Sequence, residues 1–244
     1  MTSTPAGLLA RALTRDGARP LVTFYDDATG ERVELSVATF ANWVSKTANL
    51  LQDGLSAEPG ERVAVLLPTH WQTAVILSAC WSAGLVVATG LEAVAPADLV
   101  FTAADTVAAA RSATSAREVV ALSLLPFARP AVGLPVGVLD YALEVPTFGD
   151  RFAPYNPVLP GDPAFAVEGG TLTGGELVSA AEAVDLPAGA RVLSTSDFTD
   201  VEAVVRGLLG PLSADGSVVL CRNLDHGALE KRLAAEKVTV QTSS

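Results

Sequence analysis

The sequence predicts an α/β protein whose mainly parallel sheets are doubly wound, with helices on both faces. Short apolar runs alternate with helical patterns from one end of the 244-residue chain to the other, which is the pattern of β-α-β units. Runs such as 99–101 and 119–122 contain no polar residue, as expected of strands that are covered on both faces. With 50% hydrophobic and 18% charged residues, the chain can bury a substantial core without metal ions or disulfides.

The elements follow in order along the chain. Residues 1–17 favour a short amphipathic helix, with Leu8, Leu9, Ala12 and Leu13 on one side. Beyond it, we predict strands at 21–25, 62–67, 85–88, 99–101, 119–122, 164–167, 191–193, 217–220 and 238–240, with helices beginning near 37, 71, 106, 174, 200 and 227.

The uncharged stretch 73–91 needs a separate decision, because about 19 apolar residues can span a bilayer. Gly84 interrupts it, and the β-branched run 85–88 that follows is short, so a buried helix followed by a buried strand fits better. The stretch also lacks the flanking Lys/Arg asymmetry of an inserted span. Residues 1–17 lack the apolar core of a signal peptide. We therefore expect a cytoplasmic protein with no membrane partner.

Charge and cysteine content exclude several classes of function. The 16 Lys and Arg residues stand against 27 Asp and Glu, which gives a formal net charge of -11 that repels nucleic acid. Cys80 and Cys221 each lie in an apolar run, where a free cysteine behaves as a small buried hydrophobe. Together with His70 and His226 they offer no zinc-ligand spacing, so we predict no metal site.

The segment 126–162 is rich in Pro and Gly, which interrupts both the helical and the strand periodicity. We interpret it as a long surface connection. It divides the chain into a first α/β lobe over 1–158 and a second, smaller α/β lobe over 159–244.

Helix starts are indicated by Thr residues that precede Glu or Gln by three positions. In such a capping box the hydroxyl and the downstream side chain satisfy free amide groups of the first turn. The pairs are Thr69 with Gln72, Thr173 with Glu176, and Thr199 with Glu202.

The segment 32–87 resembles the start of the adenylate-forming, AMP-binding enzymes, the superfamily of acyl-CoA synthetases. Residues 58–68, Glu-Pro-Gly-Glu-Arg-Val-Ala-Val-Leu-Leu-Pro, match that family's Pro-Gly-Asp-x-Val turn and strand, after a strand-then-helix opening at 34–40. Farther along, Leu172-Thr173 resembles the Leu-Thr-His after the family's phosphate loop, and 208–220 resembles its helix, Pro-Leu and Gly-x-x-x-Val-Leu strand. The chain looks like a member of a small family with faint similarity to AMP-binding enzymes.

The resemblance implies a site for ATP-dependent activation of a carboxylate, which requires a flexible Ser/Thr/Gly loop ending in Pro-Lys-Gly. Residues 166–172, Ala-Val-Glu-Gly-Gly-Thr-Leu, stand in that place, so the loop is shortened and lacks its lysine. The only lysines are Lys46, Lys231 and Lys237, and Glu168 adds negative charge where phosphates would sit.

A remnant of this loop is the first candidate site. Gly169, Gly170, Thr171 and Thr173 could form an anion-binding turn ahead of the next helix. The alternative is a Gly-Gly hairpin between Val167 and Leu172, in which glycine supplies the positive φ of the turn. The second candidate is Asp197, which stands near the aromatic or His position of the resembled substrate pocket and departs from that pattern.

Relative to the resembled enzymes, the chain stops about midway through the large domain. The adenine-binding, metal-binding and ribose-binding motifs and the lysine-bearing C-terminal domain have no counterpart, so we assign no catalytic residue, metal or cofactor. We therefore expect a truncated, degenerate relative of the adenylate-forming enzymes.

Three functions remain open. The first is a non-catalytic binding or regulatory protein, in which surface left uncovered by the missing segments meets a protein partner or a second copy. The second is a protein that holds a small acyl or adenylate-like ligand in a crevice near 169–173 and Asp197. The third is one half of a ligase that another polypeptide completes.

Overall fold

A computed structural model describes residues 4–242. Its strands are β1 Pro20–Asp26, β2 Glu31–Ser36, β3 Arg62–Leu66, β4 Val86–Thr89, β5 Leu99–Ala103, β6 Glu118–Leu122, β7 Leu139–Asp140, β8 Pro163–Val167, β9 Gly170–Thr173, β10 Arg191–Ser194, β11 Ser217–Arg222 and β12 Val240–Thr242. Its α-helices are α1 Pro5–Asp16, α2 Val37–Asn49, α3 Trp71–Ser82, α4 Val107–Ala113, α5 Tyr141–Glu144, α6 Gly174–Glu182, α7 Val201–Val204, α8 Gly210–Ser213 and α9 Leu229–Ala235.

The strands form two mainly parallel sheets, which confirms the predicted α/β class. Sheet I has the order β12-β10-β11-β1-β2, and sheet II has the order β7-β6-β5-β3-β4-β8-β9. Each sheet ends in one antiparallel hairpin, β1–β2 in sheet I and β8–β9 in sheet II, while its other neighbours are parallel. The predicted strand at 238–240 lies two residues later in the structure.

The two sheets do not correspond to the lobes predicted over 1–158 and 159–244. Strand β1 pairs in parallel with β11, with Phe24 opposite Leu220, so an N-terminal strand completes the sheet of the C-terminal segment. In the other direction, β8 pairs with β4 through Val87 and Phe165. The chain therefore exchanges strands across position 158 in both directions.

Helix α3 is buried on every side, and each residue from Trp71 to Trp81 is buried. It packs against α1 and α2, against β1 of sheet I, and against β3 and β4 of sheet II. The indole Nε1 of Trp81 donates to the carbonyl oxygen of Ala164 in β8 at 3.0 Å. Gly84 then takes φ +74° and turns the chain into β4, as the helix-then-strand interpretation of 73–91 predicts.

In the part of the chain that is described, no helix is long and apolar enough to cross a membrane. Cys80 and Cys221 are buried free thiols, as predicted. Helix α1 buries Leu8, Leu9 and Ala12, whereas Leu13 is exposed. Residues 1–3 of the predicted N-terminal helix lie outside the described residues.

Glu236, directly after α9, ties the C-terminal segment to three strands of sheet I. Its carboxylate accepts hydrogen bonds from Tyr25 of β1, Arg32 of β2 and Arg191 of β10. Burial alone would raise the pKa of Glu236, but these hydrogen bonds outweigh it and lower the pKa to about 2. The folded state therefore favours the ionised carboxylate.

We expect Glu236→Gln to lower the free energy of unfolding at pH 7 by about 2 kcal/mol, because Arg32 and Arg191 each lose a charged hydrogen-bond partner. Since the pKa is lower in the folded state, this stabilisation is present above about pH 4.5 and is lost as the pH falls towards 2. Urea unfolding at pH 7 and pH 3 measures both effects. Glu230→Gln, on the exposed side of α9, is the control, and an equal loss in both variants would contradict the prediction.

Candidate functional site

The proposed remnant of the phosphate loop is an exposed hairpin at the edge of sheet II. Val167 of β8 pairs with Gly170 of β9, and Gly169 turns the chain with φ +80°. A Cβ atom at either glycine would meet no atom within 4 Å, and only Gly169 has a positive φ, so the turn favours glycine at 169 and no close neighbour requires it at 170. The structure therefore agrees with the hairpin interpretation of Gly169 and Gly170.

The N-terminus of α6, which follows this hairpin, is closed by its own side chains. Thr173 Oγ1 accepts from the backbone N–H of Glu176 at 3.2 Å, and Glu176 Oε2 accepts from the backbone N–H of Thr173 at 2.7 Å. This is the predicted capping box, and its hydrogen bonds lower the pKa of Glu176. The amides of Gly174 and Gly175 donate to the carbonyl oxygens of Asp162 and Pro160, so an anion approaching this helix would meet amides that are already engaged and the Glu176 carboxylate beside them.

The other two predicted capping boxes are wrong, because different side chains cap those helices. His70 caps α3 through Nδ1, which accepts from the backbone N–H of Gln72 at 3.2 Å. Asp200 caps α7 by accepting from the backbone N–H of Ala203 at 2.8 Å. Thr69 instead faces the loop after β10, where its hydroxyl donates to the carbonyl oxygen of Ser196 at 2.7 Å.

Asp197 lies in that loop and lines a cavity of about 780 Å³ at the carboxyl ends of β10 and β12. Its Oδ1 accepts from the backbone N–H of Thr69 at 3.0 Å. The guanidinium of Arg206 also lines the cavity and is held by Glu202 at 2.9 Å. We call this cavity the Asp197 cleft, after its lining residues Thr195, Ser196, Asp197, Thr199, Arg206 and Thr242.

The hairpin and the Asp197 cleft are neighbours but do not form one site. A second cavity, of about 610 Å³, shares Arg206 and Thr242 with the cleft and is lined on its far side by Leu172. Of the described residues that line these two cavities, none is Gly169, Gly170, Thr171 or Thr173. The structure thus places Asp197 in a crevice and leaves the four hairpin residues outside it.

A third cavity, of about 710 Å³, was not predicted from the sequence. Two tryptophans form its floor, with ring centroids 5.2 Å apart and planes at 68° in an edge-to-face contact. Phe127 forms one lip and is 94% exposed, on a backbone with φ +63°. We call this cavity the aromatic groove; its lining includes Glu31, Arg32, Val33, Trp43, Trp71 and Phe127.

Glu31 is the one carboxylate among the described residues that line this groove, and its side chain is only 5% exposed. Within the described residues its Oε1 has no hydrogen-bond partner, and its Oε2 lies 4.0 Å from Nε2 of His70. Burial raises the pKa of Glu31, and the negative charge of Asp26 raises it further. Burial lowers the pKa of His70 to about 3, with a smaller contribution from Arg222, so the imidazole is neutral at pH 7.

The pattern of the AMP-binding enzyme family matches residues 9–140, more than half of the chain. The chain belongs to this family. This member of the AMP-binding enzyme family is 44% identical over 243 residues to a "TIGR03089 family protein" of Mycobacterium tuberculosis (strain ATCC 25618 / H37Rv). The aligned region covers 98% of this chain and 97% of that protein.

Two solved structures share the fold of this AMP-binding family member. An acyl-CoA synthetase of Brucella canis superposes with a TM-score of 0.82 at 16% identity, over 98% of this chain and 47% of the synthetase. The acetoacetyl-CoA synthetase of Streptomyces lividans gives a TM-score of 0.80 at 20% identity, over 99% of this chain and 42% of that enzyme. The chain therefore spans less than half the length of these synthetases.

We expect Thr173→Ala to lower the free energy of unfolding by about 1 kcal/mol, because α6 loses its N-cap hydroxyl. Urea unfolding at pH 7 measures the change. Thr171→Ala is the matched control, since Thr171 is exposed in β9 and caps no helix. A larger loss for Thr171→Ala than for Thr173→Ala would contradict the assignment of the cap.

We expect Glu31→Gln to raise the melting temperature at pH 7. Because burial raises the pKa of Glu31 above 4.5, the folded state binds this proton more tightly, and stability falls as the pH rises through the folded pKa. The gain from Glu31→Gln should therefore be present at pH 7 and absent at pH 4. Thermal unfolding followed by circular dichroism at both pH values checks this, and an equal gain at both would contradict it.

Proposed function

We propose that this chain is a non-catalytic member of the AMP-binding enzyme family that acts as a binding or regulatory protein. The observation that carries the proposal is the closed N-terminus of α6, where the Glu176 carboxylate occupies the amide of Thr173 at 2.7 Å. In the resembled enzymes the corresponding place follows the loop that holds the triphosphate. A carboxylate there opposes the binding of phosphate groups by like-charge repulsion.

The charges around the hairpin support the same proposal. The segment 163–182, which forms β8, β9 and α6, contains no lysine or arginine but includes Glu168 and Glu176. Lys46 is engaged elsewhere, because its ammonium pairs with Asp150 at 2.6 Å and donates to the carbonyl oxygen of Phe148. Pyrophosphate leaving ATP would therefore meet no cation supplied by this segment.

A second candidate function is the binding of a small acyl or adenylate-like ligand in the Asp197 cleft. In open α/β sheets, ligands commonly bind at the carboxyl ends of parallel strands, which is where the Asp197 cleft lies. Thr195 and Thr199 supply hydroxyl groups that suit a ribose or an acyl carbonyl.

The proposal includes a cytoplasmic location and a protein partner or a second copy of the chain. The support for a partner is the connection after β6, where Leu125, Phe127, Val132 and Val136 are large exposed hydrophobic residues. A ligase half completed by another polypeptide is the remaining alternative. In that case the partner would have to supply the cationic phosphate loop as well as the catalytic lysine.

Thermal unfolding with AMP, ATP and a non-hydrolysable acyl-adenylate analogue tests the proposed function. We expect AMP or the analogue to raise the melting temperature and ATP to leave it unchanged, because only the triphosphate needs the missing loop. A ligand at about a hundred times its Kd stabilises the native state by about 2.7 kcal/mol.

Asp197→Asn should reduce the shift while keeping an acceptor for the Thr69 amide. Asp16→Asn is the matched control, because Asp16 is exposed and accepts from the amide of Ala18 in the same way. ATP-dependent pyrophosphate release by the purified chain with a carboxylic acid would overturn the non-catalytic assignment. If none of the three ligands changes the melting temperature, the small-molecule candidate is rejected.

A further inference from the structure

We propose that the aromatic groove is a binding site for an organic ammonium ion, a primary amine on an apolar or aromatic body. The ammonium would lie beside Glu31, and the body would pack on Trp43, Trp71 and Phe127. This inference does not depend on the proposed function, because the groove lies between β2, α2 and the segment after β6, away from the Asp197 cleft.

The charge of the groove is the first argument. Asp26 and Glu31 are both buried, but the nearby cation Arg222 lies 4.0 Å from Asp26, which also accepts from the amide of Asn223. His70 is neutral, so it leaves the charge of Glu31 uncompensated. A buried carboxylate without a cation is costly, and a bound ammonium would remove that cost.

The arginine next to Glu31 in the sequence does not supply the missing charge. Arg32 also lines the groove, but successive side chains of a strand point to opposite faces, so its guanidinium lies towards the other face of β2. Its guanidinium there binds Glu34 at 2.9 Å and Glu236 at 3.0 Å. The carboxylate of Glu31 and the guanidinium of Arg32 therefore serve different sides of sheet I.

The aromatic walls are the second argument. A cation placed over the face of a Trp, Tyr or Phe ring is attracted by the ring, and more strongly when water is excluded. Trp43 and Trp71 form such a surface, and Val33 continues it along β2. Phe127, which is 94% exposed, is a second aromatic face that a ligand would cover.

The same lining disfavours other ligands. A phosphate or carboxylate would be repelled by Glu31, since the nearby imidazole of His70 carries no charge. A hard metal ion requires several oxygen ligands, whereas Glu31 is the only acidic side chain among the described residues that line the groove. An apolar body with one positive group is the chemistry that satisfies both the walls and the carboxylate.

The probes for a direct test are 2-phenylethylamine and 2-phenylethanol, which share the aromatic body and differ in the charged group. Binding to the intact chain at pH 7 is measured by calorimetry and by quenching of tryptophan fluorescence. We expect the amine to bind at least about tenfold more tightly than the alcohol. Equal binding of the two probes, or no binding of the amine, would overturn the proposal.

Amino-acid substitutions then test which side chains bind the ammonium and the aromatic body of the probe. Glu31→Gln should weaken binding of the amine by about tenfold and leave the alcohol unchanged, because it removes the charge and keeps the shape. Glu182→Gln, at the exposed end of α6, is the matched control and should change neither. Trp43→Leu should weaken both probes. Unchanged amine affinity in Glu31→Gln would reject Glu31 as the ammonium partner, and with it the proposal.

Discussion

The structure depends on the complete burial of α3 between strands of both sheets. Every residue from Trp71 to Trp81 is buried, and the helix contacts β1 of sheet I as well as β3 and β4 of sheet II. An apolar helix needs cover on every side, and helices α1 and α2 provide the rest of it. The exchange of strands between the two halves of the chain brings β1 against α3 and lets Trp81 donate to Ala164 of β8.

The N-terminus of this helix positions both cavities that carry a functional inference. Thr69 binds the loop of the Asp197 cleft, with its amide on Asp197 at 3.0 Å and its hydroxyl on Ser196. The next residue, His70, caps α3 through one ring nitrogen and turns the other towards Glu31 of the aromatic groove, at 4.0 Å. Because α3 is fixed by its burial, Thr69 and His70 fix the walls of two separate cavities relative to the same rigid helix.

The sequence predicts the individual strands and helices better than it predicts how the strands pair into sheets. Apolar runs predict nine of the twelve described strands, because burial on both faces leaves a continuous apolar pattern in the sequence. The edge strands β2, β7 and β9 have no such run. Which sheet each strand joins leaves no such pattern, so the pairing of Phe24 with Leu220 was not foreseen. Thr173 was predicted as a cap and is one, whereas Thr69 found a tertiary partner in Asp197. Glu31 gave no signal, since a charged residue at a strand start usually faces solvent.

The positions of individual carboxylates, more than the net charge, decide which ligands the chain excludes or favours. A net charge of -11 spread over an exposed surface is screened by salt and selects little. Glu176 stands at the amides that an anion would use, and Glu31 stands in an apolar groove where screening is weak. Both positions reject phosphate, but only the second is bounded by aromatic rings that favour a cation. A glutamate carboxylate therefore excludes anions at the start of α6 and favours a cation in the aromatic groove, because the two sites differ in how strongly the surroundings screen its charge.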